Sequence, residues 1–174
     1  KNKGKPRDYP KTKNKKFIFH CDKCNNEFKA TLGNVSFDKW CPICNMSVGE
    51  LKVIECLVKR NLPNNMQKKF ENCKDINIMP FDNFINKNTI KGNKDIAIEY
   101  DGELHFNITR EGYGGGINGY KKRKKHDIMK NKFCLENGII LLRIPYTERE
   151  YIEKYINYAI KKSKENFSGI IFCN

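Results

Sequence analysis

The sequence lacks any apolar run long enough to cross a lipid bilayer. A membrane-spanning helix needs about 20 mostly apolar residues, whereas the apolar run 139–142 is followed at once by Arg143. No secretory signal peptide is visible, so we expect an intracellular protein with no membrane partner, and nucleus and cytoplasm are both open. The chain begins with Lys1 rather than Met, which leaves room for it to be a fragment of a longer protein.

Signatures of an organic cofactor are also missing. The glycine-rich stretch 112–119 has no strand ahead of it and no Gly-Lys-Ser/Thr, so it does not fit a phosphate-binding P-loop. We therefore expect no small-molecule organic cofactor, and a flexible connection at 112–119.

Acidic residues are scarce beside basic ones. The chain has 20 Asp and Glu against 34 Lys and Arg, a formal net charge of +14. This charge suits a polyanionic partner, nucleic acid first and an anionic membrane surface second. Lys, Asn and Ile are all abundant, as an AT-rich genome would produce, so composition alone explains part of the excess. Because acids are few, any place where they concentrate is informative.

The first sixteen residues read as a basic arm. They include eight basic residues and one Asp, with almost nothing to bury, which predicts disorder in the free protein. The stretch from Lys3 through Lys5 to Arg7 resembles the core of a minor-groove AT-hook, with Lys where that motif prefers Arg. These three residues are candidate nucleic-acid contacts, and a solvated tail is an equal alternative.

Four of the eight cysteines form two Cys-x-x-Cys knuckles, with sixteen residues between them. Four thiolates at this spacing close a tetrahedral zinc site with no open position, which makes the metal structural. A redox Cys-x-x-Cys would normally occur once, beside a thioredoxin-like pattern, and that pattern is missing here. Cysteines that bind zinc as thiolates indicate a protein of a reducing compartment. The predicted module covers residues 17–46, with Phe17, Phe19, Phe28 and Trp40 as its core. Its ligands are Cys21, Cys24, Cys41 and Cys44.

The rest of the chain, 47–174, alternates helix and strand patterns. Capping residues and the spacing of apolar side chains predict the order α-β-β-β-α-β-α, a mixed α/β layout with helices covering a sheet. The segment 86–93 reads as a turn. The predicted helices cover 47–61, 120–137 and 148–164, and the predicted strands cover 67–73, 78–85, 95–101 and 139–144.

Acidic residues concentrate at the end of the predicted strand 95–101. Glu99 and Asp101 alternate along it and therefore point to the same face, and Asp82 stands on the preceding strand. Clustered carboxylates are costly unless something positive binds to them. A hard cation such as Mg²⁺ or Mn²⁺ is the usual partner, and a solvated strand edge is the alternative.

These residues resemble a known nuclease superfamily. Pro80-Phe81-Asp82, followed by Ile98-Glu99-Tyr100-Asp101-Gly102 and His105, is similar to the PD-(D/E)xK pattern. It resembles most the branch of very-short-patch-repair endonucleases and related homing endonucleases. A basic stretch ending at Asp127, then Gly138 and Ile-Leu-Leu-Arg-Ile-Pro-Tyr, also fits, so the resemblance covers about residues 47–160. It implies a restriction-endonuclease-like mixed sheet flanked by helices, and a metal-dependent DNA endonuclease.

The resemblance also implies residue roles. Asp82 is expected to be the central ligand of a catalytic Mg²⁺ or Mn²⁺, with Glu99 and Asp101 in the second-strand motif. His105 is expected beside the scissile phosphate, as a proton-transfer group or electrostatic support. Asp127 is expected to orient or pair with His105, or to contact the metal through water.

Two positions leave alternatives open. Glu50 would approach the site from the first helix, but it also forms a capping box with Ser47, in which its carboxylate satisfies a backbone amide. The superfamily usually has Lys where this chain has Asp101, so the division of labour between Glu99 and Asp101 is open.

A run of five cations precedes Asp127. A solvated helix face and a nuclear-localisation signal are alternatives, but beside a phosphodiester site a phosphate clamp fits better. Arg143 is expected to pair with a site acid or a phosphate. The run consists of Lys121, Lys122, Arg123, Lys124 and Lys125.

The predicted function is therefore metal-dependent cleavage of DNA. The outcome could be a nick or, through a homodimer on DNA, a double-strand break. The alternative is a non-catalytic, zinc-containing module that binds nucleic acid.

Overall fold

The computed structural model describes residues 15–36, 40–63, 65–111 and 114–173. The predicted nucleic-acid contacts Lys3, Lys5 and Arg7 lie outside these ranges, as does most of the predicted arm. The chain divides into two compact units, Lys1–Ser47 and Val48–Asn174. No described helix is long and apolar enough to cross a membrane.

The described part of the first unit is a small hairpin followed by one helical turn. Strands β1 (Lys16–His20) and β2 (Glu27–Thr31) pair antiparallel, and α1 (Leu32–Ser36) follows. The predicted aromatic core is present. The side chains of Phe17 and Phe28 are buried, and the ring of Phe28 meets Trp40 edge-on, with 5.1 Å between centroids.

The second unit is built on a five-stranded mixed sheet with the order β3-β4-β5-β6-β7. The first three strands pair antiparallel, whereas β6 runs parallel to both β5 and β7. The parallel register places Glu99 of β5 opposite Arg143 of β6. The strands are β3 (Asn65–Lys68), β4 (Phe81–Ile85), β5 (Ile96–Asp101), β6 (Ile140–Pro145) and β7 (Ile170–Phe172).

Helices cover the two faces of this sheet. On one face α2 (Val48–Lys59) and α5 (Ile152–Lys164) bury a cluster that includes Ile98 and Leu142. On the other face α4 (Gly116–Glu136) packs against Ala97 and Leu141. The predicted mixed α/β class with helices on a sheet is therefore confirmed.

Several element bounds differ from the sequence prediction. Strand β3 ends at Lys68, short of the predicted 67–73, and α4 begins at Gly116, within the glycine-rich stretch. The predicted turn 86–93 contains the one-turn helix α3 (Lys87–Ile90), whose first turn is capped by the Asn86 side chain accepting from the Asn88 amide. Strand β7 was not predicted, because three residues are too few to show a period of two.

Gly49 is required by a close approach between α2 and β5. An added Cβ at Gly49 would overlap the ring of Tyr100, so the ring packs directly on the helix backbone. Gly49→Ala is expected to cost about 3 kcal/mol, the upper range of overpacking penalties, measured by urea unfolding. Gly102→Ala is the control, because a Cβ there meets nothing within 4 Å. Equal stability of the two variants would contradict this contact.

Candidate active site and metal centre

The four knuckle cysteines of the first unit come together as one cluster. Their Sγ atoms all lie within 4.8 Å of one another, with Cys24 and Cys41 3.5 Å apart and Cys21 and Cys44 3.6 Å apart. Thiolates bound tetrahedrally at zinc–sulfur distances of about 2.3 Å would be about 3.8 Å apart. The predicted ligands therefore have the arrangement that a tetrahedral ion such as zinc requires.

Asp82 lies where strands β4 and β5 separate. The last paired residues are Asn83 and Ile98. Beyond them the backbone N–H of Tyr100 donates to Oδ2 of Asp82 at 2.9 Å, so a side chain replaces the missing strand partner. Burial raises the pKa of Asp82, although the Tyr100 hydrogen bond opposes this, and the nearby charges of Glu50 and Asp101 raise it further.

Glu99 is held between Asp82 and a lysine from α4. The backbone N–H of Asp82 donates to Oε1 of Glu99 at 3.2 Å, and Nζ of Lys130 donates to Oε2 at 2.7 Å. The Glu99 residue is only 4% exposed. Burial, and then the charge of Asp82, raise its pKa to about 7, against the lowering effect of Lys130. We refer to Asp82, Glu99 and Lys130 as the Glu99 cluster.

A second group of charges surrounds Asp101. Arg143, which is 3% exposed, donates from Nε to Oδ2 of Asp101 at 2.8 Å and from Nη2 to Oδ1 at 2.6 Å. Its Nη2 also donates to Oδ1 of Asp127 at 2.7 Å, and its Nη1 to Oδ1 of Asn131 at 3.0 Å. Nδ1 of His105 lies 3.1 Å from Oδ2 of Asp127 and 3.6 Å from Oδ1 of Asp101. These five residues form the Asp101 cluster.

The surroundings of Asp127 favour its ionised form. Burial alone would raise the pKa of Asp127, but the hydrogen bond with His105 and the charge of Arg143 outweigh it, and the pKa is lowered. The paired carboxylates likewise raise the pKa of Arg143 despite its burial. The ligand atoms of Asp101, His105 and Asp127 lie within 4.8 Å of one another, close enough to hold a metal ion.

The Asp101 cluster forms part of the wall of a cleft of about 280 Å³. The strand ends and one face of α4 contribute the polar residues, and apolar side chains complete the walls. Lining residues outside the cluster are Phe106, Lys124, Ile128, Pro145, Phe172 and Cys173.

Four acids and two cations make up the charge of the two clusters. Two uncompensated negative charges remain when all four acids are ionised and His105 is neutral. Uncompensated negative charge of this kind is unfavourable in partly buried sites unless a cation binds. One divalent cation would balance it.

The structure does not bring together the three carboxylates that were expected to bind one metal. Glu99 and Asp101 share the face of β5 opposite Ile98, as alternation predicts. However, Lys130 binds Glu99 and Arg143 binds Asp101. Among the described residues, Asp82, Glu99 and Asp101 therefore do not form a group whose ligand atoms all lie within 4.8 Å, and Asp101 is grouped with His105 and Asp127 instead.

Lys130 and Asn131 were not predicted as site residues. Both lie on the face of α4 that carries Asp127, at spacings of three and four residues, so helical periodicity from Asp127 could have indicated them. Arg143 was expected to pair with a site acid or a phosphate, and the structure places it on two acids.

The five cations 121–125 near the start of α4 do not all face solvent as one basic surface. Arg123 donates to the backbone carbonyls of Leu104 and Gly114, and Lys125 pairs with Asp75 at 2.8 Å. Nζ of Lys124 lies 5.4 Å from the ring centre of Phe106, at the cleft. Lys121 and Lys122 are exposed.

Comparisons with known proteins leave the family open. No family model matches the chain, and no solved structure gives a significant match. One curated relative, the uncharacterized protein 094L of Frog virus 3 (isolate Goorha), is 35% identical over 64 residues. That alignment covers 37% of this chain and 41% of the viral protein, so the chain spans less than half the length of the relative it matches.

The raised pKa of Glu99 predicts an unusual dependence of stability on pH. In the folded protein the Glu99 carboxyl keeps its proton up to about pH 7, whereas its ordinary pKa is 4.5. The stabilisation that comes from binding this proton is therefore fully present below pH 4.5 and is lost as pH rises through 7. Glu99→Gln carries no charge, and its one amide oxygen can still accept from Lys130, although its amide nitrogen cannot accept from the Asp82 N–H. Without added divalent metal, it is expected to melt about 3 °C or more above wild type at pH 8, since about 1 kcal/mol corresponds to roughly that shift.

The same comparison at pH 4, below the ordinary pKa of 4.5, should show little difference in melting temperature. Glu150→Gln is the control, because Glu150 is exposed and the hydrogen bond from Lys52 lowers its pKa. A Glu99→Gln variant that is less stable than wild type at pH 8 would show that the buried charge is fully compensated.

Proposed function

We propose that this protein is a divalent-metal-dependent endonuclease that hydrolyses phosphodiester bonds in DNA. The observation that carries the proposal is the group formed by Asp101, His105 and Asp127, whose ligand atoms lie within 4.8 Å of one another at one cleft. A buried acidic group of this kind is suited to a cation, and a cation beside a histidine is suited to phosphate chemistry.

The strand arrangement supports a restriction-endonuclease-like fold. The antiparallel β3-β4-β5 is followed by α4 on one face and by β6 parallel to β5. The proposed site residues lie on β4, on β5 and the turn that follows it, and on α4. The pairing of His105 with Asp127 agrees with the roles that the sequence resemblance implies, whereas Asp101 is bound by Arg143 rather than grouped with Asp82 and Glu99.

The residues divide the proposed chemistry between them. A divalent cation at the carboxylates would supply an activated water and neutralise charge on the phosphate. Asp127 accepts from Nδ1 of His105 when that nitrogen carries the proton, which leaves Nε2 to exchange a proton with water or the leaving oxygen. Asp101 and Asp127 are held in place by Arg143. Glu50 acts on Asp82 through its charge, which supports a place near the site.

The exposed lysines of α4 suit a DNA substrate. Lys121 and Lys122 are exposed at the start of α4, and the same helix carries Asp127 into the cleft. Contacts from these lysines would be to phosphates and independent of sequence. The four cysteines are proposed to hold one structural zinc that stabilises the first unit.

His105→Ala tests the proton-transfer step. We expect it to slow DNA cleavage by roughly 10²- to 10⁴-fold, as for a lost acid–base group, while DNA binding is kept. His126→Ala is the matched control, since His126 lies on α4 one residue from Asp127 but pairs with Asp75 instead, at 3.2 Å. Single-turnover cleavage of a labelled duplex measures both. Equal rates for the two variants would remove His105 from the mechanism.

A further inference from the structure

Lys130 is an unusually enclosed lysine for a helix of this composition. Its side chain is 13% exposed, whereas that of Lys132, two residues later on α4, is 74% exposed. Burying an ammonium group is unfavourable unless it gains a charged partner. The partner here is Oε2 of Glu99, 2.7 Å away.

The surroundings of Lys130 direct its charge toward the carboxylates of β4 and β5. Nζ lies 5.2 Å from the ring centre of Phe81, the residue before Asp82, so an aromatic face helps to hold the ammonium in place. Burial raises the pKa of Asp82, and the charge of Lys130 opposes that rise. Lys130 therefore acts on both acids of the Glu99 cluster.

The strand that carries Glu99 does not supply the cation that binds it. The residue two positions later on the same face is Asp101, whose two carboxylate oxygens are both bound by Arg143. Within the described residues, the cation in hydrogen-bond contact with Glu99 comes from α4 instead.

We infer that Lys130 is a positioning residue for phosphodiester cleavage, which holds the Glu99 carboxylate in its working orientation from outside the strand motif. This inference rests on the proposed function. Lys130 acts by fixing Oε2 of Glu99, so that Oε1 stays on the Asp82 amide, 3.2 Å away. The two acids then keep a fixed relation to each other before any cation or substrate arrives.

A purely structural ion pair predicts a different pattern of effects. If Lys130 only anchored α4 to the sheet, its loss would lower stability, metal binding and cleavage together. If Lys130 positions Glu99, its loss slows cleavage, but removing a positive charge beside two carboxylates does not weaken the binding of a divalent cation. The sign of the change in metal affinity separates the two roles.

The test compares Lys130→Met and Lys130→Arg with Lys132→Met, an exposed lysine on the same helix. Binding of Mn²⁺ alone is measured by electron paramagnetic resonance at pH 8.5, and single-turnover cleavage is measured on a labelled duplex. Lys130→Met should cleave about 10- to 100-fold more slowly, the range for residues that orient metal ligands. It should bind Mn²⁺ as tightly as wild type or up to about threefold more tightly. Lys130→Arg should recover most of the rate, and Lys132→Met should match wild type.

Three outcomes would overturn the inference. Wild-type cleavage by Lys130→Met would remove Lys130 from the reaction while the proposed function stands. A joint loss of rate, Mn²⁺ affinity and melting temperature in both Lys130 variants would assign it a structural role. A wild-type protein that cleaves no DNA would overturn the proposed function, and the inference with it.

Discussion

The Asp82→Asn variant is expected to fold and bind DNA but to lose metal-dependent cleavage entirely. The substitution removes one negative charge and nearly keeps the side-chain shape, and the Asn oxygen can still accept from the Tyr100 amide. Because burial already raises the pKa of Asp82, a neutral side chain should not destabilise the fold. DNA binding should be equal or slightly tighter, since acids repel phosphate in the absence of a metal.

Asp95→Asn provides the matched control for this variant. Asp95 precedes β5 at the end away from Asp101, and its Oδ1 accepts from the backbone N–H of Lys87. We expect Asp95→Asn to cleave at the wild-type rate in an assay on a labelled duplex with Mg²⁺ or Mn²⁺. Cleavage by Asp82→Asn at the wild-type rate would rule out the proposed role of this carboxylate.

Loss of one knuckle thiolate is expected to have the largest effect on the first unit. The wild-type protein should retain about one Zn²⁺ per chain after dialysis, and Cys41→Ser should lose it, because the closed site needs four ligands. Zinc binding supplies about 10–16 kcal/mol in small zinc-finger peptides, and the described core of this unit is small. Residues 17–46 should therefore become sensitive to protease.

Elemental analysis and limited proteolysis measure the two consequences. Cys56→Ala is the control, since Cys56 is buried in the core of the second unit and should leave the zinc content unchanged. A wild-type protein without zinc, in which Cys21 and Cys24 form a disulfide, would contradict the metal centre.

Short-range patterns in the sequence predicted the faces of individual strands and helices and the cysteine cluster. Alternation along β5 placed Glu99 and Asp101 on one face, and the two-residue spacing of the knuckles anticipated the four-cysteine cluster. The spacing of apolar residues in α5 predicted its buried face, including Ile156 and Ala159. The features of β5 and α5 are set by residues within a single strand or helix, and each cysteine knuckle is set by residues three positions apart.

The division of the acids into two clusters could not be read from the sequence. It depends on which cation reaches which carboxylate, and those contacts join residues far apart in the chain, such as Arg143 with Asp101 and Lys130 with Glu99. This chain has 34 lysines and arginines, and the order of residues along the sequence does not say which of them are buried beside an acid. Even the parallel register of β5 and β6 does not decide it, since Arg143 lies opposite Glu99 in the register but its side chain binds Asp101.

Cleavage of supercoiled plasmid by the purified wild-type protein tests the central proposal most directly. The protein is incubated with plasmid and Mg²⁺ or Mn²⁺, alongside a sample without added metal, and with Asp82→Asn under the same conditions. The proposal predicts nicked or linear DNA only for wild type with metal. Intact plasmid in every sample, across both metals and several plasmid and oligonucleotide substrates, would contradict it and favour a zinc-containing module that binds nucleic acid without cutting it.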